Sequence, residues 1–233
     1  MIPVTDRDAR PTKELLSTLG DVLDAQIPVV IISGRGHSLL KLRVKTHLEN
    51  NLALLFLAMY NGSVVSRGYD REVIHLAEPS FDKAYRSLTG DIRLQRFVDM
   101  IKRTGHSIQV IPKTRSRKKM DDLSSHLGRL IGPRFIVRNS GFAIDVYPAH
   151  RSKDRCLKLV TKLIGRDLRF LRVGDQGHEL GNDYELLNSK GGFSVGTVSS
   201  NPRSCFPVLD AIGLRIFGPQ GTLHLLTRIF NVS

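Results

Sequence analysis

The stretch that decides the fold is residues 27–35, which read IPVVIISGR. Its first six residues are apolar and rich in β-branched side chains, so neither face of the segment suits water. This pattern is typical of a parallel strand buried between two layers of helices. The run stops at Ser33-Gly34-Arg35. The segment therefore predicts a central strand of an α/β sheet that ends in a polar turn.

Helical patterns flank this strand on both sides. Thr12 is a favourable N-cap for a helix whose apolar residues share one face, and a second helix is predicted over residues 37–49. An apolar strand is predicted over residues 52–59, and Tyr60-Asn61-Gly62 then forms a turn. Strand, helix and strand at this spacing predict a parallel βαβ unit.

The pattern changes between residues 63 and 148. Residues 79–104 are predicted to be largely helical, and residues 120–131 form another helix. A strand is predicted over residues 107–111, and a hairpin over residues 134–147, turning at Asn139-Ser140-Gly141. These strands alternate polar and apolar residues, which predicts a sheet with one face towards solvent.

After residue 148 the first pattern resumes. The predicted elements are a helix over 153–164, a strand over 168–173, a short helix from Asn182, a strand over 193–197 and a closing C-terminal helix. The predicted fold class is therefore α/β, with a Rossmann-like parallel sheet in the core domain. We expect that core to comprise residues 1–62 and 149–233, with an α+β cap domain, residues 63–148, inserted into it.

Composition limits the classes of function. The 233 residues are 41% hydrophobic and 24% charged, as in ordinary globular proteins. No apolar run is long enough to cross a bilayer, no signal peptide is evident, and the two cysteines form no disulfide framework. We therefore expect a cytoplasmic protein with no membrane partner; the sequence does not indicate its oligomeric state.

The net charge of +13 favours anionic partners. The densest basic run is residues 113–119, where no aromatic residue is interleaved. Binding of single-stranded nucleic acid usually combines cations with aromatic stacking, so this run does not favour nucleic acid as a partner. A solvated basic loop is the preferred interpretation, and a funnel for a small anionic substrate comes second.

Polar residues follow the predicted core strands, where open parallel sheets bind their ligands. Ser33 and Gly34 end the first strand, and the serine hydroxyl and backbone N–H groups could hold a phosphoryl oxygen. Asp175 follows the strand over 168–173, and its carboxylate, together with Asp183, offers hard oxygen ligands to Mg²⁺. Lys153 opens a helix and can neutralise a phosphate. Each residue alone is ordinary, whereas their combination predicts a phosphate site.

These residues resemble the motifs of the haloacid dehalogenase (HAD) superfamily of phosphatases. Ile31-Ile32-Ser33-Gly34-Arg35 resembles the second motif and Arg151-Ser152-Lys153 the third. Val173-Gly174-Asp175, continued by Asn182-Asp183, resembles the acidic fourth motif. Tyr60-Asn61-Gly62 is similar to the entrance of the cap in the type IIB subgroup, which includes many sugar-phosphate phosphatases. The resemblance covers nearly the whole chain.

The resemblance implies Mg²⁺-dependent hydrolysis of a small phosphomonoester, such as a sugar phosphate, through an aspartyl-phosphate. It implies that Ser33 and Lys153 are catalytic, and that these two bind phosphate together with Gly34 and Asn182. Asp175 and Asp183 would hold Mg²⁺. Candidates for contact with the substrate are Asn61, Arg138 and Asn139. For Arg138 and Asn139 a solvated hairpin tip is the preferred interpretation.

The chain departs from the family at its start. The family opens with an apolar strand ending in Asp-x-Asp-x-Thr, whose first Asp is the nucleophile, and this chain has no such motif. Asp6-Arg7-Asp8 is superficially similar, but Arg10 stands where Thr is expected, and Asp6 is too close to Ser33. We expect that the natural gene starts upstream or that this chain is a truncated form. The alternative is a catalytically inactive binding or regulatory protein that keeps the phosphate pocket without the nucleophile. A nucleic-acid-associated protein is a weaker alternative.

The family's nucleophile strand lies between the strands that end at Ser33 and Asp175. Without it, these two strands would either flank an open gap or pair directly. The spacing between Asp175 and Asn182 is also longer than the family's usual spacing, so the full set of metal ligands is left open.

Overall fold

The computed structural model describes residues 11–36, 39, 52–68, 72–75, 80–149 and 153–231. Its elements in chain order are α1 (Lys13–Asp24), β1 (Val29–Ile32), β2 (Leu55–Met59), β3 (Val64–Arg67), β4 (Glu72–His75), α2 (Asp82–Gly90), α3 (Ile92–Phe97), β5 (Val98–Arg103), β6 (Ile108–Pro112), α4 (Arg117–Ile131), β7 (Phe135–Asn139), β8 (Ile144–Pro148), α5 (Lys153–Ile164), β9 (Arg172–Gln176), α6 (Tyr184–Leu187), β10 (Gly192–Thr197), β11 (Phe206–Pro207) and α7 (Gly218–Phe230). The predicted helix over residues 37–49 lies outside the described residues.

The first sheet contains the predicted βαβ strands. Its order is β1-β2-β3-β4, with β1 parallel to β2 and the other pairs antiparallel. Every residue of β2 is buried, as its wholly apolar sequence requires. The predicted strand over 52–59 is shorter in the structure because residues Leu52–Leu54 form a 3₁₀ turn.

The pairing of β3 and β4 bears on where the cap begins. Strands β3 and β4, within residues 64–75, extend the core sheet, although the sequence interpretation assigned residues 63–148 to the cap. The chain can reverse directly after β2 because Asn61 and Gly62 have positive φ angles of 57° and 93°. The hydrogen bonds fit a boundary near residue 80 better than one at residue 63, and the division into domains stays a prediction.

The cap contains a four-stranded antiparallel sheet with the order β5-β6-β8-β7. Helices α2 and α4 pack on one face of this sheet around buried residues such as Leu88, Leu127 and Val146. The prediction of helix over residues 79–104 is wrong for its last part, because Val98–Arg103 is the strand β5. The hydroxyl of Thr104 accepts hydrogen bonds from the N–H groups of His106 and Ser107, which closes a tight turn between β5 and β6.

The second core sheet is parallel, with the order β11-β10-β9. The strand predicted over 168–173 is displaced to Arg172–Gln176, because its partner β10 begins only at Gly192, opposite Arg172. The predicted N-cap of α1 is confirmed: Thr12 Oγ1 accepts a hydrogen bond from the N–H of Leu15. Among the described helices, none combines the length and apolar character needed to cross a membrane.

The two core sheets are not joined. Strand β1 is the outermost strand of the first sheet and β9 is the outermost strand of the second, and no described strand lies between them. We call the gap between β1 and β9 the slot. The α/β class and the α+β cap are as predicted, and the two strands that were expected to flank a gap or to pair directly do not pair.

Candidate functional site

The first part of the site is the turn after β1. The Oγ atom of Ser33 accepts a hydrogen bond from the N–H of Arg35 at 3.1 Å, and the N–H of Ser33 donates to the carbonyl of Ala58 on β2. A side chain at Gly34 would lie 3.2 Å from Asp145 Oδ2, tighter than an ordinary contact. Glycine therefore leaves room here for a ligand to approach the backbone.

The second part is a buried ion pair between Lys153 and Asp183. Lys153 opens α5, and its Nζ lies 2.5 Å from Asp183 Oδ1, with the two side chains only 4% and 9% exposed. Asp183 Oδ2 accepts hydrogen bonds from the backbone N–H groups of Asp175 and Gln176 at 2.9 and 3.1 Å. Burial alone would raise the pKa of Asp183, but the Lys153 ammonium and these donors lower it. The carboxylate is therefore held ionised.

The third part is Asp175, beside that pair. Burial and then the neighbouring charge of Asp183 raise the pKa of Asp175 to about 7, while Lys153 acts in the opposite direction. Two carboxylates this close hold a proton or a cation between them more readily than two negative charges. The arrangement of Asp175 next to Asp183 therefore favours a bound cation.

The side-chain oxygen atoms of Asp175 and Asn182 suit Mg²⁺. The side-chain oxygen of Asn182 is buried and has no hydrogen-bond partner in the described part of the chain. Mg²⁺ in proteins is usually bound by one or two carboxylates together with water and substrate phosphate. Among the described residues, no group of three or more His, Cys, Asp or Glu side chains is arranged to hold a metal ion. Asp175 and Asn182 therefore fit this sparse kind of site and not a cage made wholly of protein.

The predicted catalytic, phosphate-binding and metal-binding residues lie around one cavity of about 520 Å³. They are Ser33, Gly34, Lys153, Asp175, Asn182 and Asp183. The sequence predicted that they would meet because parallel strands present their carboxyl ends at one edge. The structure brings them together, and the role of each residue stays a prediction.

The residues predicted to contact substrate are not at the cavity. The Asn61 backbone N–H donates to the carbonyl of Ser33 and its buried side chain lies against Gly34. Arg138 pairs with Glu185 at 2.7 Å. The Asn139 side chain donates to Asp121, and its backbone bonds to Leu180 and Asn182. Arg138 and Asn139 therefore join cap to core, and their geometry gives no support to a substrate role.

The residues that line the cavity on the cap side were not predicted from the sequence. Gln109 of β6 and Asp145 of β8 line it, and Gln109 Nε2 donates to Asp145 Oδ1 at 3.1 Å. Phe142 also lines the cavity, and the guanidinium of Arg115 lies 3.9 Å from its ring centroid. One signal was present: Asp145 is a charged residue within an otherwise apolar strand, and a buried charge needs a partner.

The sequence matches no family model and no curated protein, whereas solved structures share its fold. A haloacid dehalogenase-like hydrolase from B. subtilis has a TM-score of 0.69 at 12% identity, over 98% of this chain and 95% of that one. Trehalose-6-phosphate phosphatase from Aspergillus fumigatus has a TM-score of 0.57 at 16% identity, over 99% and 89%.

An N-terminally truncated IMP-nucleotidase from Plasmodium falciparum has a TM-score of 0.61 at 14% identity, over 95% of this chain. This chain spans only 66% of the length of that nucleotidase. At such low identities the likeness concerns the fold alone. The chain has the fold of HAD-like hydrolases, as its motifs predicted.

Proposed function

We propose that this protein, with its HAD-like fold, is a Mg²⁺-dependent hydrolase of a small phosphomonoester. The observation that carries the proposal is that Ser33, Lys153, Asp175 and Asp183 meet at the polar end of one cavity. A phosphate needs hydrogen-bond donors and positive charge around it, and a metal ion needs carboxylate oxygens beside it. The site offers both within one enclosure.

Each residue has a role in this proposal. The hydroxyl of Ser33 and the backbone N–H of Gly34 donate to phosphoryl oxygens. Lys153 donates one hydrogen bond to Asp183, and its remaining N–H groups and its charge hold the phosphate. Asp175 and the Asn182 side-chain oxygen would hold Mg²⁺, which supplies charge neutralisation when bound. Asp183, which the resemblance assigned to the metal ion, pairs with Lys153 and accepts from two backbone N–H groups. We therefore assign it to holding Lys153 and the loop from β9 in place.

The surroundings of the cavity support a small anionic substrate. Arg115, within the basic run 113–119, stacks on Phe142 at the cavity. The basic run is thus close enough to draw anions towards the site, as the funnel hypothesis requires. Gln109 and Asp145 present amide and carboxylate groups on the cap side. Such groups suit the hydroxyls of a sugar phosphate, and similar folds include a trehalose-6-phosphate phosphatase and an IMP-nucleotidase.

The attacking carboxylate is the part that the described residues do not provide. Three carboxylates line the cavity among the described residues, and each already has a partner or an assigned role. Asp183 bonds to Lys153, Asp145 accepts from Gln109, and Asp175 is assigned above to the metal ion. An aspartyl-phosphate would need a carboxylate from elsewhere; Asp6 and Asp8 lie outside the described residues.

This observation also favours a second candidate, a phosphate-binding protein without turnover. Measurements of phosphate release and of phosphate binding distinguish the hydrolase from the binding protein. The purified chain is assayed with Mg²⁺ on p-nitrophenyl phosphate, trehalose 6-phosphate and IMP, and its affinity for inorganic phosphate is measured by calorimetry. The Lys153→Ala variant tests the site, and Lys158→Ala, whose side chain is 77% exposed, is the matched control.

Turnover that needs Mg²⁺ and Lys153 supports the hydrolase. Phosphate binding that needs Lys153, without any turnover, supports the binding protein. A chain extended upstream of Met1 is run beside this one, since added turnover would identify the source of the nucleophile. Absence of both binding and turnover in both chains would refute a phosphate site.

A further inference from the structure

The cap sheet carries a row of polar side chains that runs across its strands. Lys102 of β5 lies opposite Gln109 of β6, and Gln109 lies opposite Asp145 of β8. Asp145 in turn lies opposite Arg138 of β7. Residues directly opposite each other in antiparallel strands share one face of the sheet, with Cβ atoms about 4.5–5.5 Å apart. These four side chains therefore form one continuous row, which we call the cap row.

The cap row lies on the face of the sheet that is turned towards the cavity. The residues that alternate with it point to the opposite face and pack against α2 and α4; they include Ile108, Val110, Val137, Ile144 and Val146. Within the row, Gln109 and Asp145 line the cavity. On β5, Arg103 is on the helix side, where it pairs with Asp82 of α2 at 2.6 Å. Its neighbour Lys102 is therefore on the cavity side.

The two ends of the cap row differ in their surroundings. Arg138 at one end pairs with Glu185 of the core at 2.7 Å, and this carboxylate offsets its charge. In the middle, Gln109 Nε2 donates to Asp145 Oδ1 at 3.1 Å. Lys102 at the other end is exposed. The cap row therefore presents an accessible positive charge at its Lys102 end.

This order of groups determines where negative charge on a ligand is tolerated. Asp145 is 3% exposed, and its Oδ2 would lie 3.2 Å from a side chain at Gly34, beside the turn proposed to bind phosphate. Its carboxylate repels a second anion there but accepts hydrogen bonds from hydroxyl groups. Neighbouring strands lie about 4.8 Å apart, so Lys102 is two strands, or about 10 Å, further along the row. A second anionic group is therefore favoured near Lys102 and disfavoured next to the phosphate.

We propose that Lys102 is a specificity-determining residue, and that the substrate is a polyol or sugar phosphate with a second anionic group at its far end. The inference rests on the proposed function, because it takes the turn after β1 as the site of the first phosphate. The hydroxyl groups of the substrate donate to Asp145 and contact Gln109. The second anionic group pairs with the Lys102 ammonium. Because this pair is exposed to solvent, it adds selectivity and only a small part of the affinity.

The test compares two ligands that differ in one end group. Sorbitol 6-phosphate and 6-phosphogluconate have the same carbon chain and phosphate, but the first ends in a neutral hydroxymethyl group and the second in a carboxylate. Their affinities for the full chain with Mg²⁺ are measured by calorimetry at low and high salt, beside inorganic phosphate. We expect 6-phosphogluconate to bind about two- to fivefold more tightly at low salt, and this preference to shrink at high salt.

Variants of two adjacent residues separate a local contact from general charge. Lys102→Gln should remove the preference for 6-phosphogluconate without weakening the binding of sorbitol 6-phosphate, and Lys102→Glu should reverse the preference. The matched control is Arg103→Gln. It removes one positive charge from the next residue of the same strand, on the helix side of the sheet, and should leave the preference unchanged.

The outcomes distinguish this inference from the proposed function. If the parent chain binds inorganic phosphate but binds the two ligands equally well, the inference is wrong and the phosphate site stands. A preference that survives in Lys102→Gln, or that is lost in Arg103→Gln, would also overturn the inference. If neither ligand nor inorganic phosphate binds, the phosphate site is refuted and the inference fails with it.

Discussion

Replacing Lys153 by methionine removes the only cation paired with Asp183 among the described residues. Methionine preserves most of the side-chain length and suits a helix, so the change mainly removes charge and hydrogen bonding. Asp183 would keep its two backbone donors from Asp175 and Gln176. The carboxylate would nevertheless be buried without a counter-ion.

The burial of the pair sets the size of the effect. With the two side chains 4% and 9% exposed, solvent cannot replace the lost partner, and breaking a buried pair in this way costs about 3–5 kcal/mol. For a chain of this length each kcal/mol lowers the melting temperature by about 2–4 °C. The expected loss is therefore about 6–20 °C. The control is Lys158→Met, which removes a cation that pairs with Asp154 and whose side chain is 77% exposed; it should cost at most about 0.5 kcal/mol.

Thermal and urea unfolding at several pH values provide the assay. In the parent chain the lowered pKa of Asp183 contributes stability that is present above the ordinary carboxyl pKa and is lost as the pH falls. In Lys153→Met burial should raise the pKa of Asp183 instead, so the difference between the two proteins should widen as the pH rises. A variant within about 1 kcal/mol of the parent at alkaline pH, or a difference independent of pH, would refute the assignment of a tight buried pair.

The remaining predictions concern the same cavity. Gly174→Ala should destabilise the folded chain by about 1–3 kcal/mol, because the added Cβ would lie 2.7 Å from Asp183 Cγ. The control, Gly128→Ala, is at a helix position where the added Cβ meets nothing within 4 Å. It should be neutral or stabilising in the same unfolding assay. Because the pKa of Asp175 is raised to about 7, Mg²⁺ affinity measured by calorimetry should increase about tenfold per pH unit below about pH 7 and level off above it, and Asp175→Asn should remove this dependence. Without metal the same shift should make stability decline as the pH rises from about 4 to about 7. Arg115→Ala should slow phosphate association about two- to fivefold at low salt and less at high salt in stopped-flow measurements, whereas Lys158→Ala should not.

The core elements could be predicted from the sequence where the local hydrophobic pattern matches the burial of the residues in the folded chain. The β-branched run before Ser33 is a buried parallel strand, and Thr12 and Lys153 open helices as expected. The prediction failed at Val98–Arg103, since α3 passes into β5 without a glycine or proline to mark the change. It also misplaced β9, because the apolar residues before Arg172 face the slot instead of a neighbouring strand.

The two halves of the site differ in how far they could be predicted. The meeting of Ser33 and Asp175 was predictable because the carboxyl ends of parallel strands share one edge, and Asp183 lies at the start of the next helix, α6. Gln109 and Asp145 were not, since their place over the cavity depends on how the cap is set on the core. The ion pair of Arg138 with Glu185 also depends on how the cap is set on the core. The sequence around each of the two residues gives no sign of it.

The backbone bonds of Asn139 have a mechanical consequence. Asn139, at the end of a cap strand, accepts from the N–H of Asn182 and donates to the carbonyl of Leu180, and both belong to the loop that carries Asp183. If the cap moves away from the core, these two hydrogen bonds have to break or the loop has to move with the cap. Any movement of the cap that admits or releases a ligand would therefore also displace the oxygen atoms proposed to hold the metal ion. Cap movement and metal binding would then be coupled.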